Sequence, residues 1–236
     1  MGDQKIIVLI SAGSEWRAVK EILKPVNVQP SPLGESFNEE LDSWQLTFFH
    51  GGWGKISAAS TTQHVIDQFH PDLLINLGTC GGFKGHIEIG TVILVTKTIV
   101  YDIIEQMSDP EAAISRYSTG MDLSWFKDGG FQNPAQPPLT ILRRPLISAD
   151  RDILSQDIPL LLKKYAAVAA DWESGAIAWV AKRNGVRCLI LRGVTDLVSP
   201  SGGDAYGNIE MYHFQARNIM EVLIIHLPDW LSAISW

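Results

Sequence analysis

The segment Leu73-Leu74-Ile75-Asn76-Leu77 constrains the fold most, because it is apolar with almost no alternation and runs directly into Gly78-Thr79-Cys80-Gly81-Gly82. A strand with one face in water alternates apolar and polar residues. An apolar run of this length, introduced by Pro71-Asp72, belongs to a strand covered by helices on both faces and ending in a glycine turn. Lys5 to Ser11 is a similar run, followed by a polar turn and helical spacing over Glu15 to Leu23. Trp44 to His50 reads as a strand ending in Gly51-Gly52-Trp53-Gly54, and Ile56 to Phe69 carries apolar residues at helical spacing. Thr91 to Val100, Ile141 to Ser148 (interrupted at Pro145), Ala167 to Ala170 and Arg187 to Val194 read as further strands. Ile158 to Tyr165, Ser174 to Asn184 and Ile209 to Ile225 read as helices. This alternation predicts an α/β fold with a mostly parallel sheet.

No repeat or linker divides the 236 residues, so residues 1–236 are expected to form a single domain, near the upper size for one core. Residues 106–138 are turn-rich, with Pro110, Gly129-Gly130, Pro134, Pro137 and Pro138. The strand-helix alternation resumes afterwards, so the stretch reads as an excursion carrying a loop or lid. Nineteen Lys and Arg against 26 Asp and Glu give a net charge of −7 with no basic block, which argues against a nucleic-acid or anionic-membrane partner. The apolar runs are strand-length, and the N-terminus lacks a signal-peptide pattern, so a cytoplasmic protein is expected. Cys80 and Cys188 stand apart in apolar settings, as free thiols of a reducing compartment do. His50, His64, His70, His86, His213 and His226 show no ligand spacing, so no metal site is expected. The C-terminal Trp230 to Trp236 is apolar enough to cover either a core edge or a subunit contact.

Ligands of open α/β sheets lie at the carboxyl ends of the strands. Three strand ends deliver a carboxylate: Glu15 after the first, Glu173 after the short Ala167 strand, and Asp196 after the Arg187 strand. The glycine-rich stretch with Thr79, Cys80 and Gly81 sits beside them. Each acid taken singly is also what a helix N-terminus attracts. Together they suggest a site without selecting its reaction.

Gly52-Trp53-Gly54-Lys55, the segment Pro71 to Gly82, Ile89-Gly90-Thr91-Val92, the segment Asp171 to Ala178, and Leu191 to Asp196 occur in an order that resembles the nucleoside phosphorylase/nucleosidase superfamily. The similarity is greatest to the methylthioadenosine/S-adenosylhomocysteine nucleosidases and covers residues 5–105 and 140–225. The resemblance implies a three-layer α/β/α fold, phosphorylase/hydrolase-like, and cleavage of a purine nucleoside's N-glycosidic bond without a cofactor. It implies that Asp196 protonates the base, Glu15 holds and deprotonates the attacking water, and Glu173 accepts hydrogen bonds from the ribose hydroxyls. Trp172, Thr79, Cys80 and Gly81 fall in its substrate-binding stretches. It also implies a homodimer in which the neighbour closes the 5′ side of the pocket, with 106–138 in that role.

The chain departs from the resemblance at several points. Asp152 stands where a Phe is expected to stack on the base, Trp172 replaces a Met, and Tyr101-Asp102 replaces Tyr-His-Asp. Asn76 occupies a position that is arginine in hexameric purine phosphorylases, which favours water over phosphate. Arg17, one residue out of register with a phosphate-binding arginine, keeps phosphorolysis open as the alternative. A non-catalytic nucleoside-binding protein is a third reading, although a pure binder has no need of both an acid and a water-holding base. The sequence leaves the base and the 5′ substituent open.

Overall fold

A computed structural model describes residues 4–104, 107, 120–127, 130–132 and 137–236. Strand β5 (Leu73–Phe83) does not stop at Leu77 but runs on through the glycine-rich stretch, correcting the expected glycine turn. Gly78, Gly81 and Gly82 all have ordinary negative φ, so they do not serve turning. They serve space: a Cβ on Gly82 would lie 2.6 Å from Ile87 and 2.9 Å from Val194 and Leu197.

β5 pairs in parallel with β1 (Ile6–Ile10) on one edge and with β10 (Arg187–Ser199) on the other. Beyond β1 lie β4 (Trp44–His50), then β3 (Gly34–Leu41) and β2 (Gln29–Ser31), the last two joined antiparallel. On the opposite side β10 pairs antiparallel with β6 (Val92–Val100), β6 parallel with β8 (Ile141–Ser148), and β8 parallel with β9 (Ala169–Asp171). β9 then returns antiparallel onto Gly81 and Gly82, so β5, β10, β6, β8 and β9 close a ring. β7 (Gly120–Asp122) and β11 (Gly202–Gly203) add to β6 and β10. The α/β class is as expected, while the sheet is mixed. The β2–β3–β4 meander and the β10–β11 pair owe their antiparallel pairing to short connections, which parallel pairing cannot use, whereas β6 on β10 and β9 on β5 are antiparallel partners distant in the chain.

Residues alternate along the strands between two apolar layers. Ile6, Val8 and Ile10 face a core shared with α1 (Gly13–Leu23) and α5 (Ile209–Ile225), whereas Ile7 and Leu9 face one shared with α2 (Gly54–Phe69) and α4 (Ser174–Arg183). The three-layer arrangement follows from this period of two. A third cluster, around Phe83, Ile99 and Ile147, is covered by α3 (Ile158–Tyr165). The short α6 (Leu227–Ala233) buries Trp230 against Phe131, so this part of the C-terminal segment covers core. Of the 106–138 excursion, Phe126 and Phe131 belong to that same core, and the rest of the lid expectation falls largely outside the described residues. No helix among the described residues is long and apolar enough to cross a membrane.

The edge of β5 opposite β10 is divided. β1 takes Leu73 to Asn76 and β9 takes Gly81 and Gly82, leaving the strand unpaired on that edge from Leu77 to Cys80. Splaying of strands from a common neighbour opens a crevice at their carboxyl ends.

Candidate active site

The crevice is lined by all seven residues singled out from the sequence: Glu15, Thr79, Cys80, Gly81, Trp172, Glu173 and Asp196. Its volume is about 210 Å³. Asp171, Trp53, Ile153, Val198, Tyr206 and Tyr212 complete much of the wall.

Glu15 occupies the first turn of α1, at the fork between β1 and β9. The Thr79 N–H, left without a strand partner, donates to Glu15 Oε1 at 2.7 Å, and Thr79 Oγ1 donates to the same oxygen at 2.8 Å. The Ala12 N–H donates to Oε2 at 3.2 Å. Burial pushes the carboxyl above its ordinary value, against the lowering influence of Arg192 and these donors. A Cβ on Gly78 would stand 3.0 Å from Glu15 Oε1 and 3.3 Å from Arg192 Cζ, so the glycine lets both groups lie against the strand.

Arg192 and Asp171 were not singled out from the sequence. Arg192 is 2% exposed; its Nε donates to Asp171 Oδ2 at 2.9 Å and its Nη1 to the Asn76 carbonyl at 3.2 Å. Nη2 donates to Asn76 Oδ1, and Asn76 Nδ2 donates to the Leu9 carbonyl at 3.0 Å. Asp171 also accepts from Ser148 Oγ at 2.6 Å, Ser174 Oγ at 2.8 Å and the Ser174 N–H at 3.1 Å, at the start of α4. An arginine inside the apolar run Leu189 to Val194 was the available sign, since buried arginines are nearly always paired.

Glu173 precedes α4 and accepts at Oε1 from the Gly54 N–H, 3.0 Å away at the N-terminus of α2. Burial first, and then the charge of Asp171, push its carboxyl up to about 8. The N-terminus of α2 is braced in turn by Lys55, whose ammonium pairs with Asp102 and whose N–H donates to Asp150 Oδ1 at 2.8 Å. Asp196 follows an irregularity in β10 between Val194 and Asp196, and its Oδ1 accepts from Thr195 Oγ1 at 2.8 Å. Burial is the main cause raising its carboxyl, with Asp204 and Asp152 adding to it and Thr195 opposing.

The remaining lining residues fill the two ends. Trp172 is half-buried and packs on Trp53 with ring centroids 5.5 Å apart, so it faces the cavity rather than the core. Ser14 Oγ donates to Tyr212 Oη at 3.2 Å beside Glu15. Cys80 Sγ lies 3.7 Å from the Gly193 carbonyl, and burial holds it as a thiol. Asp152 is exposed at the rim, with Ile153 behind it. Arg17 projects from α1 into solvent and does not line the cavity. Among the described residues no His, Cys, Asp or Glu cluster is arranged to hold a metal ion.

The family model of the phosphorylase superfamily matches residues 5–223, and the chain belongs to that superfamily. Among curated relatives, the 5′-methylthioadenosine/S-adenosylhomocysteine nucleosidase of Buchnera aphidicola is 23% identical over 239 aligned residues, 95% of this chain and 99% of that protein. The enzyme of the same name from Maridesulfovibrio salexigens is 25% identical over 218, covering 86% and 93%. The fold superimposes on the corresponding Helicobacter pylori nucleosidase, in complex with a pyrrolopyrimidine-bearing pyrrolidinol, with a TM-score of 0.78 at 17% identity over 97% and 100% of the two chains. Futalosine hydrolase of the same organism gives 0.74 at 15% identity, over 96% and 98%. The two curated relatives and the first of these structures are nucleosidases, that is, N-glycosyl hydrolases.

Two outcomes follow from the charges of the site. Arg192→Met strands Asp171 and Asn76 in the interior, and a buried pair broken on one side is expected to cost about 3–5 kcal/mol; urea denaturation with an unchanged m-value would measure it. Glu173 binds its proton more tightly folded than unfolded, so between its ordinary 4.5 and about 8 the folded state holds the extra proton. Its contribution to stability is therefore complete below 4.5 and is lost as pH rises toward 8. Denaturation midpoints across that range are expected to fall with pH in the ligand-free protein, and to fall less in Glu173→Gln.

Proposed function

We propose that the chain hydrolyses the N-glycosidic bond of a purine nucleoside, in the manner of the methylthioadenosine/S-adenosylhomocysteine nucleosidases. Residues 1–236 act as one domain, in the cytoplasm, and need no cofactor. The observation that carries the reading is the convergence on one cavity of three carboxylates, Glu15, Glu173 and Asp196, each held by a different element.

As the C1′–N9 bond breaks, its electron pair goes to the purine and positive charge develops on the ribose. Asp196, whose carboxyl burial raises so that it holds its proton more tightly, delivers that proton to N7 and makes the base a better leaving group. Glu15 takes a proton from the water that attacks C1′, its carboxylate being made more basic by the same burial that raises its pKa. Glu173 accepts from the ribose hydroxyls and holds the sugar between the two. Water rather than phosphate is supported by the cationic groups of the cavity. Arg192 is engaged by Asp171 and Asn76, Arg151 pairs with Asp157, and Arg17 points elsewhere.

A second copy of the chain is the proposed partner. Beside the cavity mouth, Trp53 is 64% exposed and Ile56 82%, and Ile56, Ala59, Val100, Ile103 and Trp179 line an adjoining apolar groove of about 420 Å³. An apolar face of this kind is what a homodimer covers.

The purified protein, incubated with methylthioadenosine, S-adenosylhomocysteine, adenosine, inosine and guanosine, is expected to release free base and free sugar without phosphate. Sugar 1-phosphate formed only with phosphate would make it a phosphorylase, and binding without cleavage would make it a binding protein. Asp196→Asn and Glu15→Gln are each expected to lower turnover roughly 10²–10⁴-fold while nucleoside still binds. In light scattering the wild type should have the mass of a dimer and Ile56→Asp that of a monomer; a monomeric wild type removes the dimer from the proposal.

A further inference from the structure

If Asp196 protonates the base, the base lies against the wall next to Asp196, and that wall needs a flat apolar surface. Asp152, exposed at its rim, has none to offer. Tyr206 reaches the same wall from the turn that follows β11. One face of its ring rests on Gly203, where a Cβ would lie 2.7 Å from Cε1 and 2.8 Å from Cδ1 and Cζ. Its hydroxyl donates to the Ile153 carbonyl at 3.0 Å, anchoring the ring to the segment that carries Asp152. Burial first, and then the charges of Asp152 and Asp196, hold the phenol up to about 12, which places it near the proton donor and keeps it neutral. The ring is thus fixed at its tip and on one face while it lines the cavity, and it is still 45% exposed.

We propose that Tyr206 is the base-binding aromatic of this site, its free face stacking on the purine next to Asp196. The inference rests on the nucleosidase reading of the cavity and adds a residue contributed by the turn after β11. Ile153 and Val198 supply the apolar surroundings. Gly203 is what allows the ring to lie flat, since any side chain there would lift it.

The test uses 2-aminopurine, a fluorescent purine base whose emission is quenched on stacking, titrated with the full-length protein. Wild type and Tyr206→Phe are expected to bind and quench it. Tyr206→Leu keeps apolar bulk without a flat face and is expected to bind roughly tenfold more weakly, leaving the emission unquenched. Gly203→Ala, which displaces the ring without removing it, should reproduce that loss and add nothing further in the double variant with Tyr206→Leu. On a nucleoside that is cleaved, the same variants should raise KM more than they lower kcat. Binding and quenching by Tyr206→Leu equal to wild type would overturn the assignment of Tyr206 alone. Absence of 2-aminopurine binding in all the proteins, wild type included, would overturn the purine-site reading together with it.

Discussion

The buried ion pair between Arg192 and Asp171 is the interaction on which the site depends. Three carboxylates (Glu15, Asp171 and Glu173) surround one deeply buried guanidinium. Buried ion pairs add little net stability, because desolvation offsets most of the attraction. Arg192 instead fixes where positive charge sits. Asp171 is saturated by Arg192, Ser148 and Ser174, which together hold its side chain at the start of α4. Glu15 and Glu173 both feel the guanidinium, yet burial outweighs it for each. The pair thus supports the site without neutralising it.

Geometry comes from the divided edge of β5. A strand paired along both edges would offer no opening, and one unpaired along a whole edge would leave several buried N–H groups unmet. Here β1 and β9 share the edge, leaving only the Leu77 to Cys80 gap. The Thr79 N–H in that gap is satisfied by Glu15. One hydrogen bond therefore completes the sheet and orients the carboxylate. The glycines of β5 make room for this, Gly78 under Glu15 and Arg192, and Gly81 under Ile153.

Much of this is legible in the sequence where local rules govern. The bounds of β4, β8 and α5 coincide with the apolar patterns, and Glu15 and Glu173 are found because they follow recognisable strand ends. What fails is what depends on neighbours distant in the chain. The glycines of β5 look like a turn because sequence does not distinguish a missing Cβ needed for conformation from one needed for space. β3 is missed because Phe37 is its one buried residue, which leaves too little alternation to read. β10 extends to Ser199, past the expected end at Val194, because pairing with β5 and β11 continues there. Tyr206 has no local mark at all; its place follows from the turn after β11, which brings it to Ile153, 53 residues away.

The excess of negative charge around the cavity gives the arrangement its chemical direction. An isolated buried carboxylate is relieved by holding its proton, as the raised values of Glu15, Glu173 and Asp196 show. A sugar that gains positive charge as its bond to the base breaks relieves the same carboxylates in another way, by supplying the missing counter-charge. Interactions that strengthen only as charge develops lower the barrier, whereas those equally strong in the ground state do not. A cavity poor in cations is therefore poorly matched to a bound phosphate and well matched to a cationic sugar. In the proposed roles the acid gains as well, since a protonated Asp196 gives up its proton more readily once positive charge stands nearby.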